Sequence, residues 1–130
     1  MRIACGVLVL AGCGGSIEPK LSSIQEKVFT LTCATAGCHT TAGDQLSQLD
    51  LSAGNSFKSL VNVAARNSGA VDDKLLRVKP GDPDHSLLVI KIAGHTPVGY
   101  GTPMPQSGAP VSAEDVSAIR TWITNGALDN

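Results

Sequence analysis

A mostly α-helical domain with long loops between its helices is what the sequence predicts, on three observations. Leu21, Ile24, Val28 and Leu31 recur at the three- and four-residue spacing that lines up apolar side chains on one helix face. Toward the other end, Ser112 precedes Glu114 and Asp115, and Val116, Ile119, Trp122 and Ile123 then form a second such face before Gly126. No stretch between them alternates apolar and polar residues for long, and no internal repeat is visible. With 130 residues and 42% hydrophobic composition, the chain suffices for one domain with its own core and is too short for two ordinary ones.

The N-terminus speaks of compartment. Arg2 precedes a short apolar run from Ile3 to Ala11. A bilayer-spanning helix needs roughly 20 apolar residues, so this run fits a secretory h-region instead. Leu10-Ala11-Gly12-Cys13 resembles the lipobox of bacterial lipoproteins. That resemblance implies cleavage before Cys13 and acylation of its thiol and new amino group, a firm anchor because several acyl chains contribute. The expected organisation is a signal peptide over 1–12, a tether containing Pro19 over 13–20, and a folded domain over 21–130. The expected location is the periplasmic face of a membrane, the outer membrane being favoured. A formal net charge of −1 with no run of like charges argues against nucleic acid as a partner.

Within the domain, the first helix runs from Leu21 into Cys33, with Ser22 and Gln25 placed to form a capping box. Thr40 to Ser56 is polar and contains glycine; it reads as a long loop anchored by Leu46, Leu49 and Leu51. Phe57, Leu60, Val61 and Ala64 fit one face of a short second helix, and Asn67 to Asp73 reads as a loop. Lys79-Pro80-Gly81-Asp82-Pro83 is turn chemistry, with Asp82 suited to an N-cap and Pro83 to the first helical position. A third helix is expected from Ser86 to Ala93, stopped by Gly94. His95 to Pro110 is too rich in proline and glycine for regular structure, and the final helix follows.

The chemistry concentrates in few residues. Processing at Cys13 leaves Cys33 and Cys38 as the remaining thiols. Outside the cytoplasm two thiols form a disulfide, a metal site or thioether bonds to haem. They stand in Cys33-Ala34-Thr35-Ala36-Gly37-Cys38-His39, a widened form of the C-x-x-C-H haem-attachment signature. Residues five apart on a continuous α-helix diverge by about 140°, so both sulfurs meet one haem edge only if the chain between them bulges. Gly37 is the residue that absorbs such a bulge most readily. His39 is the candidate proximal ligand to iron. Apart from the initiator, Met104 is the only methionine, on a loop stiffened by Pro103 and Pro105, and is the candidate distal ligand; His95, in the same loop, competes with it. Aromatic residues are only 3% of the chain, and a buried haem would add flat apolar bulk. Two haem-free readings stand beside this one: a structural or binding lipoprotein with a Cys33–Cys38 disulfide, and a zinc site of Cys33, Cys38, His39 and His95, whose spacings are not standard.

Four elements in order carry a resemblance. The Cys33/Cys38-His39 element is followed by Pro80-Gly81-Asp82-Pro83-Asp84-His85-Ser86-Leu87, by Met104-Pro105, and by Trp122-Ile123-Thr124-Asn125-Gly126-Ala127. Together, over roughly Leu21 to Ala127, they resemble class I cytochrome c, and more narrowly the planctomycete-type cytochrome c domains; the widened cysteine spacing departs from the pattern. The resemblance implies a class I cytochrome c-like fold in which N- and C-terminal helices cross around one haem c, Phe29 packing near Trp122. It implies thioether bonds from Cys33 and Cys38, His39 and Met104 on the iron, and an electron carrier serving redox protein partners. No enzymatic activity is expected, because iron with both axial positions filled has nowhere to bind substrate. His85, Arg66, Arg77, Lys79 and Tyr100 read as surface residues.

Overall fold

The first helix changes its winding within its own length. The computed structural model describes residues 15–43 and 48–130; the expected signal peptide, Cys13 and Leu46 lie outside the described residues. Leu21–Ile24 is α-helical (α1), and Gln25–Cys33 continues it as a π-helix. Its i→i+5 bonding extends to the Ala34 N–H, which donates to Phe29 O at 2.7 Å. The inward positions follow that step: Ile24 and Phe29, five apart, are both fully buried, and Val28 and Cys33, five apart, both meet the core. Leu31, expected on the buried stripe, is instead 69% exposed, because the stripe was drawn with α-helical spacing and the π winding turns it outward.

The expected Ser22–Gln25 capping box does not form. Lys20 occupies the cap position without a side-chain bond, and the far end of the chain satisfies the helix start. Leu21 N–H donates to Asn130 Oδ1 at 3.1 Å, and Ser22 N–H to Asn130 O at 2.7 Å. Gln25 is used elsewhere, its Nε2 donating to Leu51 O at 2.8 Å.

α2 spans Ser56–Leu60, shorter than its apolar pattern suggested. Val61 turns to extended backbone, pairs with Val78 in an isolated bridge, and Ala64 pairs likewise with Leu76. Such bridges are the only β-pairing among the described residues. α3, Ser68–Asp72, forms where a loop was expected, because Ala70 finds a completely buried site. In the turn that follows, Asp82 accepts from His85 N–H at 3.3 Å and caps a 3₁₀ turn, Pro83–His85, with proline at its start. Gly81 N–H reaches Ile123 O at 2.7 Å and ties this turn to the last helix. α4 is Leu87–Ile92, followed by Gly94 at φ +82°. α5 is Ala113–Thr124, with Ser112 Oγ accepting from Asp115 N–H at 3.1 Å as its sequence signals indicate.

α1 and α5 pack together and α5 also meets α4. Phe29 and Trp122 lie fully buried in one core with Ile24, Leu51, Leu60, Val78, Ile119 and Ile123. Trp122 Nε1 donates to Leu128 O at 2.8 Å, so its one polar atom is satisfied. A smaller apolar cluster of Ala65, Ala70, Leu75 and Leu87 carries Tyr100 at its edge. The end of the expected tether lies against this domain: Ile17 packs on the main core, and Lys27 Nζ donates to Gly15 O and to Ser16 O. Among the described residues no helix is long and apolar enough to cross a membrane.

Candidate functional site

The π winding delivers Cys33 to the edge of the main core, where it packs while remaining partly accessible. Burial is the main cause, and the nearby Cys38 thiol a second, that lifts the Cys33 thiol from 9.0 to about 11. Cys33 is therefore a protonated thiol at neutral pH, unlike redox-active cysteines, which are held as thiolates by a lowered pKa. Cys38 is exposed, and the two sulfurs are not joined in a disulfide.

The chain between them is a closed turn. Cys38 N–H donates to Thr35 O at 2.9 Å, and His39 N–H returns to Cys33 O at 3.0 Å. Gly37 sits at φ +80°, a left-handed conformation disfavoured for residues with a Cβ. The extra length of the motif is thus folded into a loop off the helix end, with its glycine at the left-handed position. His39 O accepts from Leu51 N–H at 2.8 Å, which fixes the residue's backbone against the start of the next segment. His39 itself is half-buried.

Met104 comes to the same core from the far side of the sequence. Its N–H donates to Lys91 O at 2.9 Å, and Lys91 Nζ donates to Thr102 O at 2.8 Å, so one residue of α4 holds two points of the loop. Partial burial lowers the Lys91 pKa. His95 is exposed, whereas Met104 is half-buried, which favours methionine over histidine as the inward-placed side chain of this loop. Leu49, Phe57, Val61 and Leu88 also pack on the core without being fully buried.

These residues fit a haem better than a zinc ion. Cys33 and Met104 both pack on the main apolar core, and a thiol and a thioether on apolar surface suit a flat apolar macrocycle. Among the described residues, no group of three or more His, Cys, Asp or Glu is gathered as a metal site, and the exposed His95 is not brought to Cys33, Cys38 and His39. A groove of about 620 Å³ lies elsewhere, lined by Ile92, Val111, Val116 and Arg120 among others. None of Cys33, Cys38, His39 or Met104 lines it, and Arg120 is already paired with Asp84 at 2.5 Å, so the groove is not the site.

Several residues expected on the surface have structural work. Arg77 is 7% exposed, not a surface residue; its Nη1 donates to Ser59 O at 2.8 Å, tying α2 to the bridge-forming segment around Leu76 and Val78. Lys79 Nζ and His85 Nδ1 both meet the Asp82 carboxylate, Lys79 at 2.8 Å, and hold its pKa down to about 2. Arg66 Nη2 donates to Gln48 Oε1 at 3.0 Å. Lys91 was not singled out by sequence, since a lysine in an apolar run carries no local sign that its carbonyl will meet a loop residue.

Comparison of the chain with protein-family models, with curated proteins and with solved structures finds no match.

Proposed function

We propose that this protein is an exported, lipid-anchored carrier of single electrons with one covalently attached c-type haem. The observation that carries the reading is the convergence of Cys33 and Met104 on one apolar core, with Cys38 and His39 folded back on Cys33 through the His39 N–H to Cys33 O bond. When bound, the haem supplies a one-electron ferric–ferrous couple. Cys33 and Cys38 are the residues for its two thioether bonds. His39 and Met104 would be the residues that ligate the iron. The soft Met104 sulfur would favour the ferrous state and raise the potential relative to a second histidine. Redox proteins on the same membrane face are the expected partners, and Cys13 is the expected lipid attachment.

Alkaline pyridine spectra of the purified protein test the attachment chemistry. Wild type should give the band of a haem with both vinyl groups saturated. Cys33→Ser and Cys38→Ser should each shift it toward the position for one thioether. A haem-free wild type with Cys33 and Cys38 oxidised to each other would replace this reading with the disulfide lipoprotein.

A further inference from the structure

The distal loop is fastened along its length to an element that the haem reading leaves without a role. α3, Ser68–Asp72, contributes no candidate ligand, yet it and the residues flanking it meet the loop through Asn67, Gly69 and Asp73. Gly69 N–H donates to Gly99 O at 2.9 Å. The two glycines touch so closely that a Cβ on Gly69 would come within 3.1 Å of the Gly99 carbonyl carbon. The next residue, Tyr100, donates its hydroxyl to Asp73 Oδ2 at 2.5 Å, just past the end of α3, while its ring lies on the small apolar cluster that contains Ala70. Gly101 follows at φ +85°, a conformation that side-chain-bearing residues rarely adopt, with the Asn67 and Lys91 side-chain ends close beside it. Thr102 and Met104 are then held by Lys91. From Gly99 to Met104 the loop has no regular structure of its own, and its conformation is set by these contacts.

We propose that α3, through the Gly69–Gly99 contact and the Tyr100–Asp73 hydrogen bond, is a latch that positions Met104 and so decides how firmly its sulfur is held at the sixth coordination site. The inference rests on the haem reading above and adds to it the device that keeps the distal ligand in place. Gly69, Asp73 and Tyr100 are positioning residues; none of them meets the iron. A loop of prolines and glycines has little to hold it shut by itself, so loosening its attachment at Gly99 and Tyr100 raises the fraction of time Met104 is away from the iron. A side chain at 69 would press on the Gly99 backbone, and tyrosine at 100 provides both the apolar ring and the hydroxyl that reaches the carboxylate.

The test uses the haem-loaded protein. Gly69→Ala places a methyl group as a wedge between α3 and the loop, and Tyr100→Phe keeps the ring and deletes only the hydroxyl. Both variants should keep wild-type haem content and thioether bonds. Each should bind carbon monoxide to the reduced protein several-fold faster than wild type, weaken the sulfur-to-iron band of the oxidised protein, and lower the reduction potential. Should Gly69→Ala fail to fold, Tyr100→Phe decides alone, because it alters a single exposed-side hydroxyl. Amide exchange gives a second readout that does not use the iron: the Met104 and Gly69 N–H groups should lose protection in the variants while those of α5 keep theirs. Normal haem content with unchanged carbon monoxide kinetics, band and potential would overturn the latch and leave the haem reading standing. A wild type whose sixth site is indifferent to Met104→Ala would overturn the distal-ligand reading, and the latch with it.

Discussion

Cys33 and Cys38 occupy different environments although both belong to one motif. The first is packed on the core with its thiol raised to about 11, and the second is exposed. In the chain without haem, iodoacetamide at mildly alkaline pH should therefore modify Cys38 well before Cys33, as peptide mapping would show; equal rates would contradict the burial of Cys33. The same shift has a sign for stability. Because the folded state keeps its proton longer than the unfolded one, this contribution is complete below 9.0 and is lost as pH rises toward about 11. Urea midpoints of the haem-free chain should fall across that window, and Cys33→Ala should flatten the fall. On the distal side, Met104→Ala should abolish the sulfur-to-iron band and open the iron to cyanide and carbon monoxide. A potential drop of about 60–180 mV is expected, at about 59 mV per tenfold change in a one-electron equilibrium. His95→Ala should do none of this; the reverse pattern would make His95 the ligand. The candidate site residues stand out in the sequence because each carries distinctive chemistry at a distinctive place: adjacent Cys38 and His39, and one methionine between prolines. Arg77 does not, since nothing local reveals that a guanidinium will be buried against the Ser59 carbonyl.

Helix ends show where legibility stops at the level of elements. Ser112 and Asp115 cap α5 from within three residues, so the signal is written locally and the structure obeys it. α1 is capped by Asn130, from the opposite end of the chain, and no local pattern encodes that; Ser22 and Gln25 matched a capping box only on paper. The π winding is equally hidden, because its inward set shares Ile24 and Val28 with an α-helical stripe and departs only at Phe29 and Cys33. α3 is illegible in the sequence because Ser68 and Gly69 are poor helix formers and five residues are too few to show a period, so the burial of Ala70 is what favours the helix. Asn130→Ala, with its backbone carbonyl retained, should destabilise the protein by about 1 kcal/mol, and Ser112→Ala by a similar amount. Denaturant midpoints measure both; no effect from Asn130→Ala would mean that water replaces the cap without loss.

At the scale of the whole molecule, the two ends of the domain are built into each other. Phe29 and Trp122 share a core, Asn130 caps α1, and residues 15–17 lie on the domain they were expected to tether. Truncating Phe29 or Trp122 to alanine should cost about 3–5 kcal/mol and prevent stable haem incorporation, because the face that carries Cys33 is set by α1's packing on α5. The helical class was legible from two amphipathic faces and the absence of alternation, whereas the packing of both Cys33 and Met104 on one core is a tertiary fact that their spacing in the chain does not encode. The covalent haem is the central claim, and one measurement addresses it most directly. Mature protein made with haem-attachment machinery is extracted with acid acetone, run on a denaturing gel, stained for haem and weighed by mass spectrometry. The haem should remain on the protein, add one haem's mass to the chain, and leave neither Cys33 nor Cys38 open to alkylation after reduction. Haem that extracts cleanly, with both thiols then free to alkylate, would contradict the account.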